Sequence, residues 1–158
     1  MKFKKIQLLL DIKKDVNLEE AQSGDWIVEG YATTLGRNSH RMRFTEEALQ
    51  QVADTLGDYT TVLFNHNDEN PIGKLLSAKF DGEGVWVQGK ISKSEPEIWT
   101  KVQDGTLNKF SIQYECKTRR IFADGEYIDE IIEAYCYEAS LVSIPAQNKA
   151  EAVLSYVK

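Results

Sequence analysis

Two long stretches of the chain, Lys109 to Phe122 with alternating apolar and polar positions and the largely apolar Tyr127 to Ile144, flank Asp124-Gly125, a dipeptide that favours a tight hairpin turn. Shorter stretches with strand character lie at Lys4 to Ile12, Trp26 to Thr33, Thr60 to Phe64, Ile72 to Phe80 and Val85 to Ile91, the last two joined through Asp81-Gly82-Glu83-Gly84. The period changes after Thr45, where Ala48, Leu49, Val52, Ala53 and Leu56 form one helical stripe. Thr45 is its expected N-cap, Glu46 and Glu47 occupy the first turn, and Gly57 ends it. A second helix is expected from Ser94 to Gly105, with Ser94 and Glu97 at capping-box spacing and Pro96 in the tolerant first turn. Pro145 should stop the last strand, and Asn148 to Val157 reads as a third short helix. The polar segments Asp15 to Asp25, Leu35 to Arg43 and Asn65 to Pro71 read as loops and turns. No repeat or low-complexity linker divides the sequence, so residues 1–158 read as a single, mainly β domain with peripheral helices.

Composition narrows the function without naming it. With 42% hydrophobic and 28% charged residues, and 10 Gly and 3 Pro in 158, the chain falls among ordinary globular proteins that need no disulfide or metal staple. A formal charge of −6 argues against neutralising a phosphate backbone, so no nucleic-acid partner is expected. Cys116 and Cys136 are the only cysteines and read as reduced, semi-buried small hydrophobes. The basic start Met1-Lys2-Phe3-Lys4-Lys5 is followed by an apolar run too short for an export signal, and no stretch approaches a membrane span. A cytoplasmic protein is the expectation.

Spacing excludes several chemistries. There is no phosphate-cradling glycine run. His40 and His66 have no His or Cys at ligand spacing, and Asp68-Glu69 reads as a solvated turn, so neither metal nor cofactor is expected. Three residues retain chemical interest. Ser111 shares the polar strand face with Gln113, Glu115 and Lys117, opposite Phe110, Ile112, Tyr114 and Cys116. Counting outward from Asp124-Gly125 sets Ser111 against Glu138, unless a bulge shifts the register. Glu138 is unusual in an apolar strand with Ala134, Cys136, Val142 and Ile144, and a carboxylate there needs a partner or a function. His66, at the end of a short strand, could serve as the base that a weak serine nucleophile requires. The ordinary alternatives stay open: a solvated strand serine and a hydrogen-bonded histidine at a strand end.

Four blocks in order resemble the tailed-phage prohead maturation serine proteases, relatives in fold of the herpesvirus assemblins. They are Val28-Glu29-Gly30-Tyr31-Ala32, then Phe64-Asn65-His66 with Pro71-Ile72-Gly73-Lys74, then Phe110-Ser111-Ile112, then Tyr137-Glu138-Ala139-Ser140-Leu141-Val142-Ser143-Ile144-Pro145-Ala146. The resemblance spans about Trp26 to Val153. It implies a compact antiparallel β-barrel of the herpesvirus-protease type with about three peripheral helices. It also implies a serine endopeptidase with His66 as base, Ser111 as nucleophile and Glu138 as orienting carboxylate. The implied substrate is the scaffold region of the major capsid protein, and the protease itself, within the prohead assembling in the host cytoplasm; self-association is a further implied contact. Gln113 stands where the family usually has glycine, and Gly36-Arg37-Asn38-Ser39-His40-Arg41 replaces a Gly-Asp-rich segment. The sequence ends soon after the fourth block, so no long tail is expected for self-removal. Two competing readings are a catalytically inactive capsid-assembly or scaffolding protein with the same fold, and a small cytoplasmic binding module.

Overall fold

The structure is a computed structural model that describes residues 4–11, by their backbone, together with 24–35, 41–59 and 61–142. Its spine is the antiparallel pair β7 (Lys109–Ala123) and β8 (Glu126–Val142), joined by the expected turn. Asp124 and Gly125 have φ of 53° and 81°, the two left-handed residues of a type I′ hairpin turn. Ala123 pairs with Glu126, as counting from the turn requires.

Further from the turn the register shifts twice, between Lys117 and Thr118 and between Gln113 and Tyr114. At each break β8 carries one extra residue, Ile132 and then Tyr137. Each extra residue swaps the faces on which the later β8 side chains stand. Ile131, Ala134, Cys136, Ala139 and Leu141 therefore line one buried face with Phe110, Ile112, Tyr114 and Cys116. Glu138 and Ser140 turn to the other face, with Ser111 and Gln113.

The remaining strands are β1 (Lys4–Asp11), β2 (Trp26–Thr34), β3 (Met42–Phe44), β4 (Thr61–Phe64), β5 (Asn67–Phe80) and β6 (Gly84–Ile91). The eight strands form one sheet in the order β1-β7-β8-β4-β5-β6-β2, with β3 pairing β8 off this path. The end strands β1 and β2 approach each other without a ladder between them, so the sheet curls and stays open. The expected compact antiparallel barrel holds in part: the sheet is curled and mainly antiparallel, but β3 and β4 both run parallel to β8.

The parallel partners cover only part of that edge of β8, residues 129–131 and 139–141. Between them lies α1 (Glu46–Leu56). Gln51 Oε1 accepts from the Ala134 amide at 3.0 Å and Thr55 Oγ1 from the Cys136 amide at 2.9 Å, so helix side chains satisfy strand donors that no neighbouring strand reaches. Thr45 caps α1 as expected, its Oγ1 accepting from the Ala48 amide at 3.1 Å. Ala48, Leu49, Val52, Ala53 and Leu56 are all buried. Each of the larger three is worth roughly 1.5–3 kcal/mol of hydrophobic stabilisation, which fixes α1 against the sheet.

Other expectations need correction. The short strand β3 lies at the end of the expected loop; Met42 and Phe44 point into the core, but three residues are too few to show periodicity. The second helix, α2, spans Pro96–Gln103, and its N-cap Glu95 makes no side-chain capping bond. Ser94 instead pairs its hydroxyl with Ser92 at 2.8 Å, so the capping box does not form. Gly57 ends α1 in a right-handed conformation, whereas Gly105, φ 81°, takes the left-handed one expected after α2. The expected helix from Asn148 to Val157 lies outside the described residues.

Candidate active site

His66 owes its position to a second two-residue hairpin turn. Phe64 pairs with Asn67, and between them Asn65 and His66 have φ of 52° and 59°. Asparagine tolerates this left-handed region; histidine does so less readily, at a cost of the order of 1 kcal/mol. The expected seven-residue turn thus contracts to two residues, and β5 begins immediately after His66. Pro71, which has no amide hydrogen, faces Leu63 at a break in the β4–β5 register. Gly73 allows the next strand to come close: a Cβ there would lie 2.3 Å from Lys90 O. The Pro-Ile-Gly run thereby shapes the hairpin behind the histidine.

The tip of this hairpin rests on the other face of β8. The Asn65 amide donates to Leu141 O at 3.0 Å, and the His66 amide to Ser140 Oγ at 3.2 Å. His66 Nδ1 contacts Glu138 Oε1, while His66 Nε2 lies 2.7 Å from Ser111 Oγ. A carboxylate only accepts, so Nδ1 carries the imidazole proton and Nε2 offers its lone pair to the serine hydroxyl. The second carboxylate oxygen, Oε2, accepts from Ser140 Oγ at 2.9 Å. The His66 and Glu138 side chains keep 14% and 10% of their exposure, and Ser111 keeps none.

All three residues singled out in the sequence therefore meet, by a different route from the expected one. Ser111 faces Ser140, while Glu138 faces Gln113, because the two bulges displace the register by two residues. An even displacement preserves the side on which Glu138 stands relative to Ser111. The bulge at Tyr137 also separates Glu138 from Cys136, which belongs to the core face. Nor is Ser111 on a solvated face: the His66 hairpin lies against it, and solvent-facing residues begin further along β7 at Glu115.

Cys116 and Cys136 are both thiols and are fully buried rather than half-buried. Burial holds the Cys136 thiol well above the ordinary range, and the nearby Glu138 charge pushes the same way. Cys136 remains a thiol that donates to Glu138 O at 3.6 Å, leaving Ser111 as the hydroxyl or thiol aligned on the imidazole. His40 lies outside the described residues. Asp68 and Glu69 sit exposed at the start of β5, and among the described residues no group of three or more His, Cys, Asp or Glu side chains is arranged to hold a metal ion. No helix among the described residues is long and apolar enough to cross a membrane.

Sequence patterns alone do not point to Ser140, Gln51 or Thr55. Ser140 has a detectable signal, a lone hydroxyl two residues beyond Glu138 in a strand end that is otherwise apolar. The two helix residues give none, because their partners are strand amides rather than side chains.

Known proteins resemble this chain in sequence or in fold. The chain is 26% identical over 139 residues to the prohead protease of Escherichia phage T5, covering 82% of this chain and 62% of that protein's length. The solved capsid assembly protease of bacteriophage T4 superposes with a TM-score of 0.70 at 9% identity, over 90% of this chain and 99% of that one. That likeness establishes the fold. Residues 13–158 match the family described as caudovirus prohead serine protease, and the chain belongs to that family.

Proposed function

We propose that this protein is a serine endopeptidase of capsid maturation that cleaves the scaffold region of the major capsid protein. The observation that carries the proposal is the 2.7 Å approach of Ser111 Oγ to His66 Nε2, continued through Nδ1 to Glu138. In this mechanism Ser111 Oγ attacks the scissile carbonyl carbon as its proton passes to His66 Nε2, and Glu138 stabilises the resulting imidazolium. His66 then gives that proton to the leaving amine. Water, deprotonated by the same imidazole, releases the acyl group and restores Ser111. The tetrahedral oxyanion that forms requires hydrogen-bond donors of its own. Ser111 has no exposed surface, so substrate entry must part the residues around it. The setting for this chemistry is the prohead assembling in the host cytoplasm.

The inactive scaffolding alternative gains little from the Gln113 departure, because that substitution leaves the Ser111-His66-Glu138 alignment uninterrupted. The deciding experiment combines a fluorophosphonate probe with co-expression of the cognate major capsid protein. Wild-type protein should become labelled and shorten the capsid protein, while Ser111→Ala should do neither. Equal labelling of the two proteins, or unchanged capsid cleavage by Ser111→Ala, overturns the assignment.

A further inference from the structure

Ser140 has no exposed surface, yet its hydroxyl makes two directed hydrogen bonds. Its one proton goes to Glu138 Oε2 at 2.9 Å, and its oxygen accepts the His66 amide proton at 3.2 Å. These partners come from different elements. Glu138 belongs to β8, just beyond the Tyr137 bulge, whereas His66 occupies the left-handed end of the β4–β5 turn. A single buried hydroxyl thus fixes both ends of the contact between imidazole and carboxylate.

The bond directions are not interchangeable. An amide can only donate, so Ser140 Oγ must accept from His66; a carboxylate can only accept, so the hydroxyl proton must point to Glu138. With Oε2 occupied, Oε1 remains directed at Nδ1. With the His66 amide also held, the turn cannot swing the ring away from Ser111 without breaking a buried bond. We infer that Ser140 is a positioning residue for catalysis, acting through Glu138 and the His66 backbone to hold the imidazole in line with Ser111. This inference rests on the proposed serine-protease mechanism.

The test uses full-length protein and the kinetics of Ser111 acylation by a fluorophosphonate probe, resolved into a maximal rate and a half-saturating concentration. Ser140→Ala should lower the maximal rate by up to ~100-fold, the cost expected of a small misplacement of reacting groups, with the half-saturating concentration unchanged. Ser140→Thr, which retains the hydroxyl, should recover most of the rate. In a Glu138→Gln background, Ser140→Ala should cost less than it does alone, because the part of its effect that runs through Glu138 is already lost. If Ser140→Ala does not fold, Ser140→Cys provides the same comparison with a similar shape and a weaker donor, and its rate should lie below that of Ser140→Thr. A wild-type rate in Ser140→Ala, or in Ser140→Cys if that variant is needed, overturns the inference, as does full multiplication of losses in the double variant. Those outcomes differ from failure of the protease reading, in which wild type and Ser111→Ala would label alike.

Discussion

Among the described residues, two hairpin turns have both central residues in the left-handed region, and they solve the same backbone problem with opposite residues. At Asp124-Gly125, glycine takes the second position, φ 81°, and a Cβ there would meet nothing within 4 Å. The strands beside it carry the exposed aromatic pair Phe122 and Tyr127, 5.1 Å apart, a local contact suited to fixing a hairpin. At Asn65-His66 an imidazole takes that position, φ 59°. Hydrogen bonds to Leu141 and Ser140 accompany the less favourable conformation, and the side chain meets Ser111 and Glu138. The first turn is consistent with its local sequence; the second departs from local preference where chemistry is proposed.

The sharpest test exchanges the two choices. His66→Gly gives the inner turn the residue its backbone prefers and removes the base. Probe labelling and capsid cleavage should fall by ~10⁴-fold or more, judging from loss of the equivalent histidine in other serine proteases. Circular dichroism should still report the folded sheet. Near-normal labelling in this variant would mean that His66 has only a structural role.

Glu138→Gln leaves the turn intact and removes the charge facing it. In a Ser-His-Asp protease, the corresponding acid-to-amide change lowers turnover by ~10⁴-fold, and a comparable loss is expected here. If turnover instead stays near normal, the hairpin alone orients His66, and Glu138 becomes a structural residue.

Changes in pH separate catalysis from stability. Acid should reversibly reduce acylation, because a protonated imidazole cannot take the serine proton. A stability contribution with a different acid response lies at Asp81, which accepts from Tyr31 Oη at 2.6 Å and from the Glu83 and Gly84 amides at 2.9 and 3.0 Å. Burial pushes the Asp81 carboxyl upward, but these hydrogen bonds outweigh it and hold it below the usual value of 3.8. A lowered carboxyl stabilises the fold above that value and loses its contribution as pH falls through the lower, folded one. The melting-temperature advantage of wild type over Asp81→Asn should therefore persist through mild acid and fade only below about pH 4. Simultaneous loss of acylation and melting temperature would assign the acid response to unfolding.

Local patterns in the sequence are enough to locate α1 with its Thr45 cap, the Asp124-Gly125 turn and most of the long strands, because each depends on residues close in sequence. The Tyr137 bulge is hidden, since its extra residue leaves the surrounding alternation superficially intact. It nevertheless decides that Glu138 leaves the Cys136 face and joins Ser111. The parallel placement of β3 and β4 on β8 depends on long-range pairing that periodicity does not encode. Ser111 and Glu138 stand on one side despite the register error, because two single-residue bulges restore the original face. That Ser140 links Glu138 to the His66 amide becomes visible only in three dimensions.

Gly125→His provides the counterpart to the first exchange and the smallest expected effect. It places the inner turn's residue in the outer one, at φ 81°, with no atom within 4 Å of the new Cβ. The cost should therefore come from left-handed backbone strain rather than collision, about 1 kcal/mol. For a domain of this size, that corresponds to a fall of roughly 2–4 °C in melting temperature. Acylation of Ser111 at a temperature where the variant remains folded should match wild type, because the outer turn makes none of the bonds that hold His66. A large kinetic loss without unfolding would show that strain at the far end of β7 and β8 reaches the site, and the two turns would then have to be treated as coupled.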